Sequence, residues 1–401
     1  MQPLSDTWLT ISFYVVVIGL ILVFRKRFQW QGIVGLAHTN IGLKQMKSFA
    51  CKHKKVLRIT GWVGIVLGFT GMFVVTAMLF KGFYIALTKP SAQATFVPVL
   101  PGVKVPGSPV KFPLFKTLIA IFIAVVVHEF SHGLLAVING IKIKSSGLAL
   151  FGPLPGAFVE LDEKKLEKQK PFVQHSVFAA GPLGNMVAAL AVFLILNFAI
   201  IPLGNHLLKP SGFEILEVAK NSPAEKAGLK PGMVFQSINE QPVFDVETFR
   251  RAVKSLKPND TVVFKGPSGV YNLTAGVNQK NTSQAFLGIT ITWHYDQKLL
   301  PWTFATVFDV LKWVFIINIG LGLANLLPIG PLDGGRMLLT VLTSIYAWFY
   351  ANLKTKRGKS RIESVAKRKA LKTWNYVSIV LVIVLLITIA LPMLRNLGVP
   401  I

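Results

Sequence analysis

Six long apolar stretches constrain this chain more than any other feature. At about 20 residues each, they are long enough to cross roughly 30 Å of hydrocarbon. They run from about Trp8 to Phe24, from Ile59 to Phe80 with an extension towards Leu87, and from Leu114 to Ile138. The others run from Phe172 to Ile201, from Trp302 into a broken run at 325–335 after which apolar helix resumes to about Leu353, and from Trp374 to Leu394. Backbone groups in lipid must be satisfied within the segment, so such stretches fold as helices. The first lacks a basic leader and a small-residue cleavage site, and is expected to stay as an anchor. The expected fold is a polytopic α-helical membrane protein with about six transmembrane helices. Only 15% of residues are charged and 52% are hydrophobic, which excludes a disordered or purely soluble chain. The lone cysteine, Cys51, excludes an internal disulfide framework and any Cys-rich metal site.

A formal charge of +26 would suggest a nucleic-acid partner if the basic residues lay on a soluble face. They do not. Residues 25–58 hold nine Lys/Arg and no acid, 352–373 hold nine and one acid, Glu363, and 140–171 hold six against four acids, whereas 88–112 hold three. Basic residues gather in cytoplasmic loops. Placing those three segments inside puts both termini outside and closes with six spans. The charge is topological, no nucleic acid is expected, and the partner implied is the lipid bilayer. The expected location is the cell membrane, with multiple passes.

Residues 205–300 differ from the rest: polar, nearly charge-balanced, and on the expected outer side. Phe213–Val218 alternates as a strand. Ser222, Pro223 and Gly228 suit the cap, first position and end of a short helix. Val234–Ile238 reads as a strand with a turn at Asn239-Glu240, and Asp245–Leu256 as an amphipathic helix with Val246, Phe249, Val253 and Leu256 on one face. Thr261–Lys265 and Val270–Val277 pair across Gly266–Gly269. The domain order is therefore 1–113, two N-terminal spans and a basic cytoplasmic loop; 114–204, two spans and a hairpin; 205–300, an extracytoplasmic α+β domain; 301–353, the broken span; 354–401, a basic loop and the last span.

The chemistry concentrates in His128-Glu-Phe-Ser-His132. On a helix, positions i and i+4 share a face, so both imidazoles can hold one metal ion. Glu129, one step round, is placed to take a proton from a water on that metal. Ionisable groups within a span cost about 2.5–3.5 kcal/mol each, so packing is a poor explanation for three of them. A catalytic zinc site takes three protein ligands. Asp333, in apolar surroundings and followed by two glycines, is the candidate third; the alternative is a cap for the resumed helix. Asp309 is explained by an ion pair with Lys312. Pro and Gly in Phe151–Leu161 forbid a helix there. His38, His53, His175, His206 and His294 read as solvated.

His-Glu-x-x-His in one span, Asn325-Leu-Leu-Pro-Ile-Gly-Pro-Leu-Asp333-Gly-Gly in a later one and the insert between them resemble the site-2 protease family of intramembrane zinc metalloproteases. Gly156-Ala-Phe-Val-Glu160 and Ala180-Gly-Pro-Leu-Gly-Asn185 add to the likeness, which covers about Leu114 to Leu353. The resemblance implies that His128, His132 and Asp333 bind Zn2+, that Glu129 is the catalytic acid/base, and that Asn325 contacts substrate or the oxyanion. It also implies that Gly156, Ala157, Phe158 and Val159 offer an edge strand to an unwound transmembrane-helix substrate, with Asn185 among the substrate contacts. Gly330 stands where many members carry Pro. The insert resembles a circularly permuted PDZ domain through Ser222–Gly232, implying a groove for peptide C-termini with Gly212-Phe213 as its carboxylate-binding loop, or a steric gate. Competing readings are a peptidase for remnant signal peptides and a non-proteolytic scaffold or transporter with a structural metal. Glu129 weighs against the last, since a structural site has no need of a carboxylate beside its ligands.

Overall fold

Apolar sequence without a breaker forms long helices, and the computed structural model follows this rule; it describes residues 4–32, 34–89, 93–108, 110–278, 281–296, 299–352 and 359–397. Helix α1 (Leu4–Val23) leads through β1 (Gln29–Gln31) and β2 (Val34–Thr39) to α2 (Leu43–Lys52) and α3 (Lys54–Thr88). Then come α4 (Leu114–Ile138), β3 (Ile143–Phe151), β4 (Leu154–Leu161), the short α5 (Glu163–Glu167) and α6 (Pro171–Ile195). One π turn, Leu196–Ile200, joins α6 to α7 (Ile201–Leu207).

The insert holds β5 (Gly212–Val218), α8 (Pro223–Lys226), β6 (Val234–Phe235), β7 (Ser237–Ile238), β8 (Gln241–Pro242) and α9 (Val246–Lys254). It continues with β9 (Thr261–Gly266), β10 (Gly269–Thr274), β11 (Gly276–Asn278), β12 (Asn281–Phe286) and β13 (Ile289–His294). Helices α10 (Leu299–Asn325), α11 (Asp333–Asn352) and α12 (Lys359–Asn396) complete the chain.

Among the described residues, five helical segments are long and apolar enough to cross a membrane: α3, α4, the 37-residue run Pro171–Leu207, α10 and α12. The first of the six expected stretches forms a shorter apolar helix, Thr7–Val23 among the described residues. Their outward faces stay apolar: Phe73 on α3 is 76% exposed while Leu79, on the same helix, is fully buried. Such surface suits hydrocarbon and not water. The protein is a polytopic membrane protein built largely of helices.

Two segments expected as basic loops are structured. β2 lies between β1 and β3 in an antiparallel sheet of order β1-β2-β3-β4, with His38 opposite Gly147 and Gly147 opposite Phe158. β1 pairs with β2 locally, but the partner on the other side, β3, lies far along the sequence, so local pattern could not reveal the full sheet. Helix α12 begins at Lys359, inside the second basic run, because Lys, Arg and Ala are good helix formers and nothing there breaks the helix. Residues 353–358 of that run lie outside the described residues.

By contact the chain divides into two units, 1–194 with 309–401, and 195–308. In the first, Leu79, Val177, Ala179 and Met337 are among the buried residues packed into one core. In the second, Phe213, Ile215, Phe235, Ile238, Val262 and Phe264 are all 0% exposed. Its sheets run β10-β9-β7-β8 and β13-β5-β6, with β11 and β12 paired separately. Ser222 caps α8 by accepting the Glu225 N–H, and Asp245 caps α9 in a reciprocal box with Thr248. Asn239 and Glu240, at φ 49° and 65°, make the two-residue turn between β7 and β8, the type I′ form that matches strand twist. Gly212-Phe213 lies in strand β5, paired with β13 and β6, and Phe213 points inward, tilted against Phe235 and edge-on to Phe249 and Phe264. We expect Phe213→Ala to destabilise the insert by about 3–5 kcal/mol. Hydrogen exchange should then rise across 212–294 and stay unchanged in α4 and α6.

Candidate metal centre

Helix α4 sets the site. One turn apart on the same face, His128 and His132 bring their Nε2 atoms to 3.1 Å. Asp333, the first residue of α11, places Oδ2 3.0 Å from the first and 3.3 Å from the second. All three residues are buried, and they form the candidate metal group found among the described residues. The donor set fits zinc. Three ligand atoms at about 2.0–2.1 Å from a tetrahedral ion lie roughly 3.3 Å apart, close to the separations here. Asp333 Oδ2 has no hydrogen-bond donor among the described residues. Electron-pair donors this close repel one another unless a cation lies among them.

The elements behind the donors hold them in place. The His132 Nδ1–H donates to the Val177 carbonyl on α6 at 2.7 Å, which leaves Nε2 with its lone pair free for a metal. Gly181, also on α6, lies directly against the imidazoles: a Cβ there would collide with Nε2 of both His128 and His132. Gly184 meets Ser131 in the same way. On the other side, Leu326, Leu327 and Ile329 are buried in the loop before Asp333. Their carbonyls lie so near Gly334 and Gly335 that a side chain at either position would strike backbone. Helix α12 steadies this loop: Gly330 N–H donates to Ser378 Oγ at 2.9 Å, and Trp374 Nε1 donates to the Gly335 carbonyl at 2.8 Å. Gly330 holds a place that proline could not fill here. Its φ of +41° and its N–H are both unavailable to proline.

Glu129 accepts a hydrogen bond from the Val159 N–H at 3.0 Å. Strand β4 is the edge of its sheet, and antiparallel pairing turns alternate residues outward. Val159 faces α4, and Ala157 is the next residue with an outward N–H and carbonyl. Gly156 and Phe158 turn theirs towards β3, with Phe158 edge-on to His38 at 5.0 Å. A cavity of about 730 Å³ reaches His128, Glu129, His132, Val159, Asn325 and Asp333. Its lining also includes Lys144, Glu160, Glu163 and Arg336. Arg336 lies 3.1 Å from Glu163, and its guanidinium lies over Phe178. The Ser145 hydroxyl bonded to Glu160, helped by Lys144, holds that carboxyl below the usual carboxylate range.

The structure thus brings His128, Glu129, His132, Asp333, Asn325 and Val159 together at one cavity. Asn325 ends α10 and donates to the Leu321 carbonyl. Asn185 is not at the cavity; it is fully buried behind His128, its amide 3.3 Å from Nδ1. Asp309 pairs with Lys312 as expected and also with Lys116, at 2.8 and 2.7 Å. His175, expected to be solvated, is buried edge-on against Phe69. Sequence reasoning did not single out Gly181, Ser378 or Trp374. The Gly-x-x-Gly spacing of 181–184 inside a span was the available signal for close helix approach; nothing local marked the other two.

A metal triad on helices of spanning length, with a carboxylate one residue from a ligand, has clear counterparts among known proteins. The sequence profile of peptidase family M50, the site-2 protease family, matches residues 116–357. The chain belongs to peptidase family M50. It is 30% identical over 308 residues to an uncharacterised protein of Methanocaldococcus jannaschii, with 76% of each chain covered. It is 24% identical to a candidate zinc metalloprotease of Clostridium perfringens, over 57% of this chain and 87% of that one. A candidate zinc metalloprotease of Clostridium acetobutylicum is 22% identical over 58% and 88%. The protein is a membrane-embedded protease of this family, and its cofactor is Zn2+. Gly181→Ala is expected to weaken zinc binding by about 10–100-fold, the scale for disturbing a ligand's support, and to lower proteolysis with it. Competition against a chelator of known affinity measures the first; unchanged affinity would show that the helices separate freely.

Proposed function

We propose that the protein is an intramembrane endopeptidase that cleaves transmembrane helices of other membrane proteins, by regulated intramembrane proteolysis. The observation that carries this reading is the donor triad of His128, His132 and Asp333, buried between helices of spanning length and open to a cavity that also holds Glu129. These three residues are the proposed zinc ligands. Bound zinc supplies Lewis acidity, which eases loss of a proton from water and polarises a peptide carbonyl. Glu129 receives the proton from the attacking water as the new C–O bond forms. It then delivers that proton to the departing amide nitrogen as the C–N bond breaks. The Val159 N–H fixes the carboxylate for this work. The Asn325 side chain, at the cavity, is the proposed donor to the developing oxyanion. The outward edge of β4 at Ala157 is the proposed rest for an extended substrate. A helix has no free backbone groups for such pairing, so the substrate must unwind locally before it is cut.

The insert between α7 and α10 is the proposed PDZ-like domain, outside the cell membrane with both termini. Its proposed role is to gate or dock substrates. A peptide C-terminus is a candidate ligand for a domain of this kind.

Glu129→Gln keeps the shape and removes the base. It should retain about one zinc per chain and the wild-type fold, yet stop cleavage of a helical membrane substrate. Substantial turnover would mean that another group activates the water.

Deleting about Gly212 to Thr292 and bridging the gap with a flexible linker removes no proposed catalytic residue. The shortened protein should keep its zinc and should begin to cleave substrates with large outer domains as well as pre-trimmed ones. Matched long and trimmed substrates, assayed with both proteins, provide the measurement. Loss of cleavage of the trimmed substrate with zinc still bound would make the domain a positioning element, not a gate.

A further inference from the structure

We infer that Asn185 is the positioning residue for His128: it presents its side-chain carbonyl to the ring and thereby selects the tautomer that can bind metal. The inference rests on the ligand assignment proposed above and goes beyond it.

Two observations meet at this residue. The first is a symmetry of function between the two histidines. Both aim Nε2 at Asp333 and turn Nδ1 towards α6. A neutral imidazole that binds metal through Nε2 carries its proton on Nδ1, and that N–H needs an acceptor. His132 has one, the Val177 carbonyl. For His128 the group within reach is the Asn185 amide, at 3.3 Å.

The second observation is an orphan. Asn185 is fully buried, and its Oδ1 has no hydrogen-bond partner among the described residues, while Nδ2 faces His128 Nδ1. With the amide in that sense, Nδ2–H donates to an Nδ1 lone pair, the proton sits on Nε2, and the ring has no electron pair for a metal. Turning the amide by 180° exchanges two atoms of nearly equal size, whose assignment rests on the hydrogen-bond network. Oδ1 then accepts from Nδ1–H, and Nε2 is free to bind. The metal-loaded protein therefore holds Asn185 with its carbonyl towards His128.

The surrounding packing leaves the amide little freedom. A Cβ at Gly322 on α10 would lie 3.3 Å from the Asn185 Cβ, so α10 packs closely against this residue. One buried side-chain oxygen thus decides whether His128 points a lone pair or a proton at the metal. The residue does not line the cavity, so it acts through His128 and not on the substrate.

The test compares zinc affinity, by chelator competition on the full-length purified protein, across three variants, alongside the visible spectrum of the cobalt-loaded forms. Asp333→Ala first checks the ligand reading, since its failure to lower zinc affinity would overturn that assignment and not the role of Asn185. Asn185→Leu keeps the branched outline, though with bulkier methyl groups, and removes the acceptor; it should weaken zinc by about 10–100-fold and shift the cobalt bands. Asn185→Asp restores an acceptor at the same place and should stay within about threefold of wild type, with a wild-type-like cobalt spectrum. A residue needed only for packing would show the reverse order, since burying a carboxylate costs more than burying Leu. Wild-type affinity in Asn185→Leu, or loss of zinc in Asn185→Asp, overturns the inference. Because Asn185→Asp must retain zinc, the inference is at risk even if Asn185→Leu fails to fold.

Discussion

The architecture of the catalytic unit follows from one requirement: three polar donors must meet within about 3 Å inside an apolar bundle. Two come from adjacent turns of α4 and are close by helix geometry alone. The third comes from the far end of the chain and needs a tertiary solution. A continuous helix would carry Asp333 past the histidines with its backbone bonded to itself. The break between α10 and α11 instead leaves a loop whose carbonyls fold back over Gly334 and Gly335, and the resumed helix starts with the carboxylate at the metal site.

That solution works only because α6 comes close on the other side. Gly181 and Gly184 take away the side chains that would hold the helices apart, so backbone and amide groups of α6 reach the ring nitrogens facing away from the metal. Hydrocarbon offers no water to complete a hydrogen bond, and an unmet polar group there is costly. Val177 and Asn185 meet that need directly, and the same contacts set which nitrogen of each imidazole remains available. Support for the ligands and solvation of the ligands are here one interaction.

Helix α12 lies beyond the stretch that matches the family profile, yet its Ser378 and Trp374 bond to Gly330 and Gly335, on either side of Asp333, the proposed third ligand. The bond to Ser378 uses an N–H that a proline at 330 would not have. A terminal helix outside the shared core has thus become part of the frame of the metal site, through residues whose types carry no catalytic signature. Strand β4 makes a comparable addition. Its Val159 N–H takes Glu129 as partner, so the edge of the sheet that faces the cavity also orients the proposed base.

Much of this was legible in the sequence because it depends on short-range regularities. Apolar length gave the helices, the spacing of His128 and His132 gave a shared face, and the cap at Ser222 gave a helix start in the insert, since each acts within a turn or two of chain. Asp333 was visible for another reason: an acid in apolar surroundings must have a purpose. What the sequence could not decide depends on segments far apart in the chain. The strands at 29–39 hid in a basic run because the β1–β2 pair joins a larger sheet only through β3, far along the chain. Phe213 was legible as a strand residue, but its enclosure by three aromatic neighbours from other elements was not. Asn185 carried a motif that resembled substrate binding, and only the approach of α6 to α4 turned its amide onto His128. Spacing along one helix is fixed by covalent geometry, but which buried group completes another's hydrogen bond is fixed by how helices pack, and only the tertiary structure determines that.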